Sequence, residues 1–147
     1  MYKIIEITID NNTLNRYNQY YFNLHPRAKK RPIERPIHPS INKWMILKRV
    51  VMNNLKQKWK DFIVWVIKDM GYENLKIDKC EIEYCSYLPS KRRSDTDNFV
   101  PKFINDGLVE SGIIVDDDYV HLRRIILCCG YDKDNPRTEI KIKILND

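Results

Sequence analysis

The sequence predicts an α+β fold, a small mixed β-sheet of about four strands with two helices on one face. Three observations carry that prediction. Short runs rich in β-branched residues recur near both ends and in the middle of the 147-residue chain. One long stretch repeats its apolar residues at three- and four-residue steps. Neither an internal repeat nor a linker divides the chain, so residues 1–147 are expected to form one domain, large enough to bury a core without disulfides or a structural metal.

Taken in order, Tyr2 to Ile9 reads as the first strand. Asp10 to Ser40 reads as a long irregular segment, because Pro26, Pro32, Pro36 and Pro39 interrupt it and no period is sustained. A loop of that length inside a compact domain is usually functional or mobile. Ser40 is a helix N-cap, and Trp44, Leu47, Val51, Leu55, Trp59, Phe62, Val66 and Met70 then form one amphipathic face that ends at Gly71. That stripe is a core face. Lys43, Lys48, Lys56, Lys58 and Lys60, on the opposite face, either meet phosphates or keep the helix soluble. Lys79 to Leu88 alternates as a second strand. Asn98 to Ser111 forms a shorter helix, with Pro101 in its first turn and Gly112 past its end. Strands at Tyr119–Cys129 and Thr138–Leu145 complete the sheet.

Composition excludes several classes of protein. No apolar run approaches the roughly 18 residues a membrane span needs, and the N-terminus lacks a secretory pattern; the cytoplasm is the expected compartment. Cys80, Cys85, Cys128 and Cys129 do not make the paired spacing of a zinc site, and their apolar or alternating surroundings predict buried free thiols. His25, His38 and His121 are scattered, and none pairs with a cysteine at ligand spacing.

Net charge is +6, unevenly spread. Residues 1–60 hold 13 Lys/Arg against 3 Asp/Glu, and residues 61–147 hold 13 against 17. A basic half beside an acidic half suggests a polyanion-binding surface next to a cluster of carboxylates. Arg16, Arg27, Lys29, Lys30, Arg31 and Arg35 fall in the irregular segment, whose first part also carries Tyr17, Tyr20, Tyr21 and Phe22.

The acidic half supplies the chemistry. Phosphodiester hydrolysis needs charge neutralisation at phosphorus and an activated water, and Mg²⁺, a hard cation held by carboxylate oxygens, provides both. Asp95 and Asp97, two apart in an extended segment, present their carboxylates to the same side, and Asp97 or Asn98 can cap the helix that follows. Asp116-Asp117-Asp118 sets three like charges in a row, which opposes folding unless a cation or base is near; one of the three completes the site, or the triplet is a solvated turn. Lys102 can stabilise the charge that develops at the phosphate. An EF-hand fails because Val100 stands where glycine is required, and Asp132-Lys133-Asp134-Asn135 reads as a hairpin turn.

From Lys91 to Val120 the chain resembles the RusA-type Holliday junction resolvases: basic residues Lys91-Arg92-Arg93, then Asp95-Thr96-Asp97-Asn98, a helix running from Lys102 through Asp106 to Gly112, and Asp116-Asp117 before Tyr119-Val120. Asn15-Arg16-Tyr17 is similar to that family's stretch near the N-terminus. The resemblance implies a RusA-like fold and a homodimer that cuts branched DNA, specifically four-way junctions, by paired nicks in recombination and repair. It implies Mg²⁺, with Mn²⁺ as a substitute, held by Asp95, Asp97 and Asp117, with Lys102 assisting. Phosphate contacts are then expected from Arg16, Lys29, Lys30, Arg31, Lys91, Arg92 and Arg93. One departure stands out: Lys102 lies five residues after Asp97 where the family pattern has four, and Asp106, Gly112 and Asp117 share the displacement, as one insertion near Val100-Pro101 produces. A helix from Asn98 to Ser111 would span about 20 Å, so the chain must turn back for Asp117 to meet Asp95 and Asp97. The competing expectation is a non-catalytic nucleic-acid-binding protein whose carboxylates are only turns and caps.

Overall fold

The computed structural model describes residues 3–146. In chain order the elements are β1 (Lys3–Asp10), α1 (Asn11–Leu24), α2 (Ile41–Trp44), α3 (Arg49–Asp69), β2 (Cys80–Leu88), a 3-10 turn (Thr96–Phe99), α4 (Lys102–Ser111), β3 (Leu122–Tyr131) and β4 (Arg137–Ile144). Tyr2, expected to open the first strand, lies outside the described residues. The four strands form one sheet in the order β1-β4-β2-β3. β4 runs antiparallel to both β1 and β2, with Ile142 opposite Ile5 and Ile82, while β3 is parallel to β2, with Leu122 beside Cys80 and Tyr131 beside Leu88.

The α+β class and the mixed sheet agree with the sequence; the helix count does not, for the described residues form four α-helices where two were expected. The omission is α1, inside what reads as an irregular segment. Asp10 caps it through a reciprocal box, its Oδ1 accepting the Thr13 N–H at 3.0 Å while Thr13 Oγ1 reaches back to the Asp10 backbone. Its buried face is Thr13, Leu14, Tyr17 and Asn18, half of it polar, so the apolar period is too sparse to stand out. The predicted long helix is also split. Ser40 precedes the single turn of α2 without a side-chain cap, Lys48 is extended, and α3 starts afresh at Arg49.

Alternation buries one face of the sheet: Ile5, Ile7 and Ile9 on β1, Ile82 and Tyr84 on β2, Ile140 and Ile142 on β4. Leu14 and Tyr17 of α1, Trp59, Phe62, Ile63 and Val66 of α3, and Phe103, Ile104 and Leu108 of α4 pack on that face. A side chain as completely enclosed as Phe62 or Phe103 stabilises the fold by about 1.5–3 kcal/mol. Within the amphipathic stripe Trp59, Phe62 and Val66 are buried, Trp44 and Leu55 pack partly buried against the core, and Val51 is 49% exposed, so the start of α3 projects past the core. α3 and α4 approach closely at Gly107, where an added Cβ would stand 2.5 Å from Ile63 Cβ.

The cysteines depart from expectation. Cys80 is buried and free and Cys129 is free, but Cys85 and Cys128 are joined as a disulfide. They are direct register partners on neighbouring strands with Cα atoms 4.5 Å apart, a relation that spacing along the chain does not reveal.

Candidate active site

Pro101 decides the local geometry around the first aspartates. The residue before a proline is driven out of the helical region, and Val100 is extended at ψ 123°. The expected helix from Asn98 is therefore two pieces, the 3-10 turn and α4, with Pro101 rather than Asp97 or Asn98 at the cap position. Asp95 is extended and flanks the turn, while Asp97 lies inside it, so the pair is not the uniform extended dipeptide the spacing suggested. Both are exposed. Arg93 Nη2 lies 3.9 Å from Asp95 Oδ1, and Lys91 Nζ lies 5.4 Å from the Tyr131 ring centre, which holds the basic segment beside the turn. Lys102 is exposed at the first residue of α4.

Two contacts fasten this turn to the N-terminal half. Asn42 Nδ2 donates to Asn98 Oδ1 at 3.1 Å, next to Asp97. His38, buried among Trp59 and Phe103, accepts the Phe103 N–H on Nε2 at 3.0 Å and lies 2.8 Å from the Pro39 carbonyl through Nδ1. Those partners require a neutral ring with its proton on Nδ1. Burial lowers the His38 pKa to about 4, opposed in part by the Pro39 hydrogen bond. Reading the histidines as scattered residues missed this one.

The acidic triplet divides by role. Asp116 Oδ1 accepts the Asp117 N–H at 2.8 Å, and Asp118 Oδ1 accepts the His121 N–H at 3.1 Å and lies 2.6 Å from His121 Nδ1. The His121 hydrogen bond holds the Asp118 carboxyl below its ordinary range. Asp117 moves the other way: partial burial first, then the charges of Asp106 and Asp116, raise its carboxyl. Asp106 is itself in difficulty. Its Oδ2 is sealed from solvent with no hydrogen-bond partner, and its nearest cation is Lys56 Nζ at 3.7 Å.

Among the described residues, one group with metal-ligand atoms within 4.8 Å of one another is Asp116, Asp118 and His121; the other is Glu83, Cys85 and Cys128, whose sulfurs are bonded to each other. Asp95, Asp97 and Asp117 make no group that tight. The reason is topological. Phe99 of the 3-10 turn packs with Leu88 at the far end of β2, whereas Asp117 precedes β3, which begins beside Cys80 at the near end. The ten residues of α4 lie between them. The Tyr84 phenol in mid-β2 is raised first by burial, then by the charges of Cys80 and Asp117. The letters D-D-D hid His121, three residues beyond Asp118, which only the turn brings into the group.

Of the expected phosphate contacts, Lys29, Lys30, Arg31, Lys91, Arg92 and Arg93 are exposed. Arg16 is engaged, 2.8 Å from Asp69 and over the Trp65 ring. Asp132 accepts the Asp134 and Asn135 N–H groups and pairs with Arg137, as a hairpin turn should.

Exposed carboxylates thus stand beside exposed cations at the Asp95–Asp97 turn, where Arg93 approaches Asp95. Residues 3–143 match the family model for Endodeoxyribonuclease RusA. The chain belongs to the RusA endodeoxyribonuclease family, which makes DNA its substrate class, branched junctions its setting and phosphodiester cleavage its reaction. No curated protein matches the chain. No helix among the described residues is long and apolar enough to cross a membrane.

Proposed function

We propose that the chain is one metal-dependent, structure-selective endonuclease domain that resolves four-way junctions by paired phosphodiester hydrolysis, with Asp95, Asp97 and Asp117 holding Mg²⁺ or Mn²⁺. The observation that carries this reading is the crowding of carboxylates at Asp117, whose partly buried carboxyl is raised by burial and then by the charges of Asp106 and Asp116. Such a place is short of positive charge. An all-oxygen donor set of carboxylates fits a hard divalent cation. When bound, that ion supplies charge neutralisation at phosphorus and an activated water.

The remaining work falls to the chain. Arg93 offsets the Asp95 charge only weakly, since both side chains are largely exposed, and Arg92 beside it is exposed to a phosphate. Lys102, at the start of α4, stabilises charge on the phosphate oxygens in the transition state. Asn42 positions the turn that carries Asp97 through Asn98, and His38 holds the start of α4 that follows it, both from the segment before α3.

Paired cuts need two sites, and β3 offers the means. It is an edge strand with one unpaired side, carrying Ile125 and Ile126 at 45% and 41% exposure. An open apolar edge invites pairing with another strand, and a second copy closes it into a two-fold dimer.

The test is Mg²⁺-dependent nicking of a synthetic four-way junction. Asp97→Asn, close in shape but poorer as a ligand, is expected to lower nicking by about 10²-fold or more, the scale of losing one preorganised charge-stabilising group. Undiminished cleavage by that variant refutes the assignment.

A further inference from the structure

A groove of about 490 Å³ runs between the Lys30–Ser40 segment and the projecting first half of α3. Its floor is apolar, formed by Leu47, Val51 and Leu55, with the almost fully buried Ile33 and Trp59 also in the lining. Its walls carry Lys30, Arg35, Lys43 and Lys58, with Glu34 as the one acid in the lining. None of those four cations has a carboxylate within ion-pair distance among the described residues. The contrast along α3 is informative. Lys56 and Lys60 face α4 and are paired with Asp106 and Glu110 at 3.7 and 3.6 Å, whereas Lys58 turns to the groove and has no such partner.

Unpaired cations above an apolar floor match a ligand that is anionic along one edge and flat and apolar along the other. A phosphate track alone needs no apolar recess, and an apolar partner alone gains nothing from four exposed cations that lack an acidic partner. The groove also adjoins the candidate active site. Ser40 and Lys43 line it, and Asn42 between them donates to Asn98, the residue after Asp97. We propose that this groove binds unpaired nucleotides of a DNA strand, bases against the apolar floor and phosphates on the lysine and arginine walls, leading the strand to the Asp97 turn. The proposal rests on the endonuclease reading and adds to it a preference for branch points with unpaired bases. Base contact with a side-chain floor is tolerant of sequence, so the groove reads strandedness rather than base identity.

The probe is a short fluorescent oligothymidylate, with the same backbone carrying abasic residues as its partner, titrated across a range of salt. The full chain is compared with Lys43→Gln/Lys58→Gln, and with Lys133→Gln/Lys141→Gln, which lies outside the groove. Removing two phosphate contacts is expected to weaken binding roughly tenfold and to reduce the log–log salt slope by about 1.4, at about 0.7 per contact for single strands. The control pair leaves both unchanged, and the abasic strand binds the unaltered chain more weakly than the base-bearing one. An unaltered salt slope in the groove variant, or equal affinity for the abasic strand, overturns the proposal. So does a change in sedimentation without a change in DNA affinity, which assigns the groove to a second copy of the chain. Junction nicking is scored separately. An active nuclease whose single-strand affinity ignores the groove lysines overturns this inference alone, while groove-dependent binding by a chain that never nicks overturns only the nuclease reading.

Discussion

Lowering the pH should unfasten the two halves of the site through His38. In the folded chain its ring is neutral because burial lowers its pKa from 6.5 to about 4. Between those values the unfolded chain binds a proton that the folded chain refuses, so stability falls as pH falls through that window. At about 1.4 kcal/mol per pH unit, the loss attributable to this one residue is about 3 kcal/mol, a large part of a small domain's stability. The structural consequence is local. A charged ring can no longer accept the Phe103 N–H, and that bond joins the Lys30–Ser40 segment to the start of α4. The assay is urea denaturation of the unaltered chain and His38→Leu from pH 7 to pH 4. Near neutrality the variant is less stable by about 1–3 kcal/mol, because the Phe103 N–H loses its partner. Toward pH 4 the gap closes, because only the unaltered chain carries the histidine's acid penalty. Histidine NMR gives a second measure: the His38 ring holds its proton on Nδ1 and stays neutral down to about pH 4. A stability gap that stays constant across the range, or a ring that titrates near 6.5, refutes the reasoning.

Asp117 acts with the opposite sign. Its raised carboxyl means that it opposes folding once ionised, so that stability is present below its unfolded pKa and lost as pH rises through the folded one. Without metal, Asp117→Asn should therefore stabilise the chain modestly at neutral pH, and should abolish the rise in melting temperature that Mg²⁺ gives the unaltered chain. Thermal scans with and without Mg²⁺ check both effects. Ile126→Lys, which places a charge on the open edge of β3, should shift the chain from dimer to monomer by sedimentation while leaving its circular dichroism unchanged.

The sheet was legible because its strands announce themselves. Ile5, Ile7 and Ile9, and again Ile140 and Ile142, alternate without interruption, and each alternation is a buried face. The helices were legible only where apolar residues alone define the face. Thr13 and Asn18 share the inner side of α1 with Leu14 and Tyr17, so a polar-looking stretch conceals a capped helix. The break between α2 and α3 has no glycine or proline to mark it, whereas the break before α4 has Pro101, read as a tolerated first-turn residue although its effect falls on Val100. For the candidate site, the aspartates stand out as letters mainly through the triplet at Asp116–Asp118, since a two-residue spacing such as that of Asp95 and Asp97 is common in loops. Their neighbours do not. Asp106 bears on Asp117 across a turn, His121 joins the triplet only once Asp118 caps it, and His38 meets Phe103 across 65 residues of chain. The same limit hid the Cys85–Cys128 pairing, which depends on a strand register.

Anomalous scattering from Mn²⁺ in crystals of the protein, with DNA excluded, asks directly which carboxylates hold the ion. The account predicts one principal peak ligated by Asp95, Asp97 and Asp117, drawn closer together than in the metal-free arrangement. A peak held instead by Asp116, Asp118 and His121, with Asp95 and Asp97 left in solvent, contradicts it.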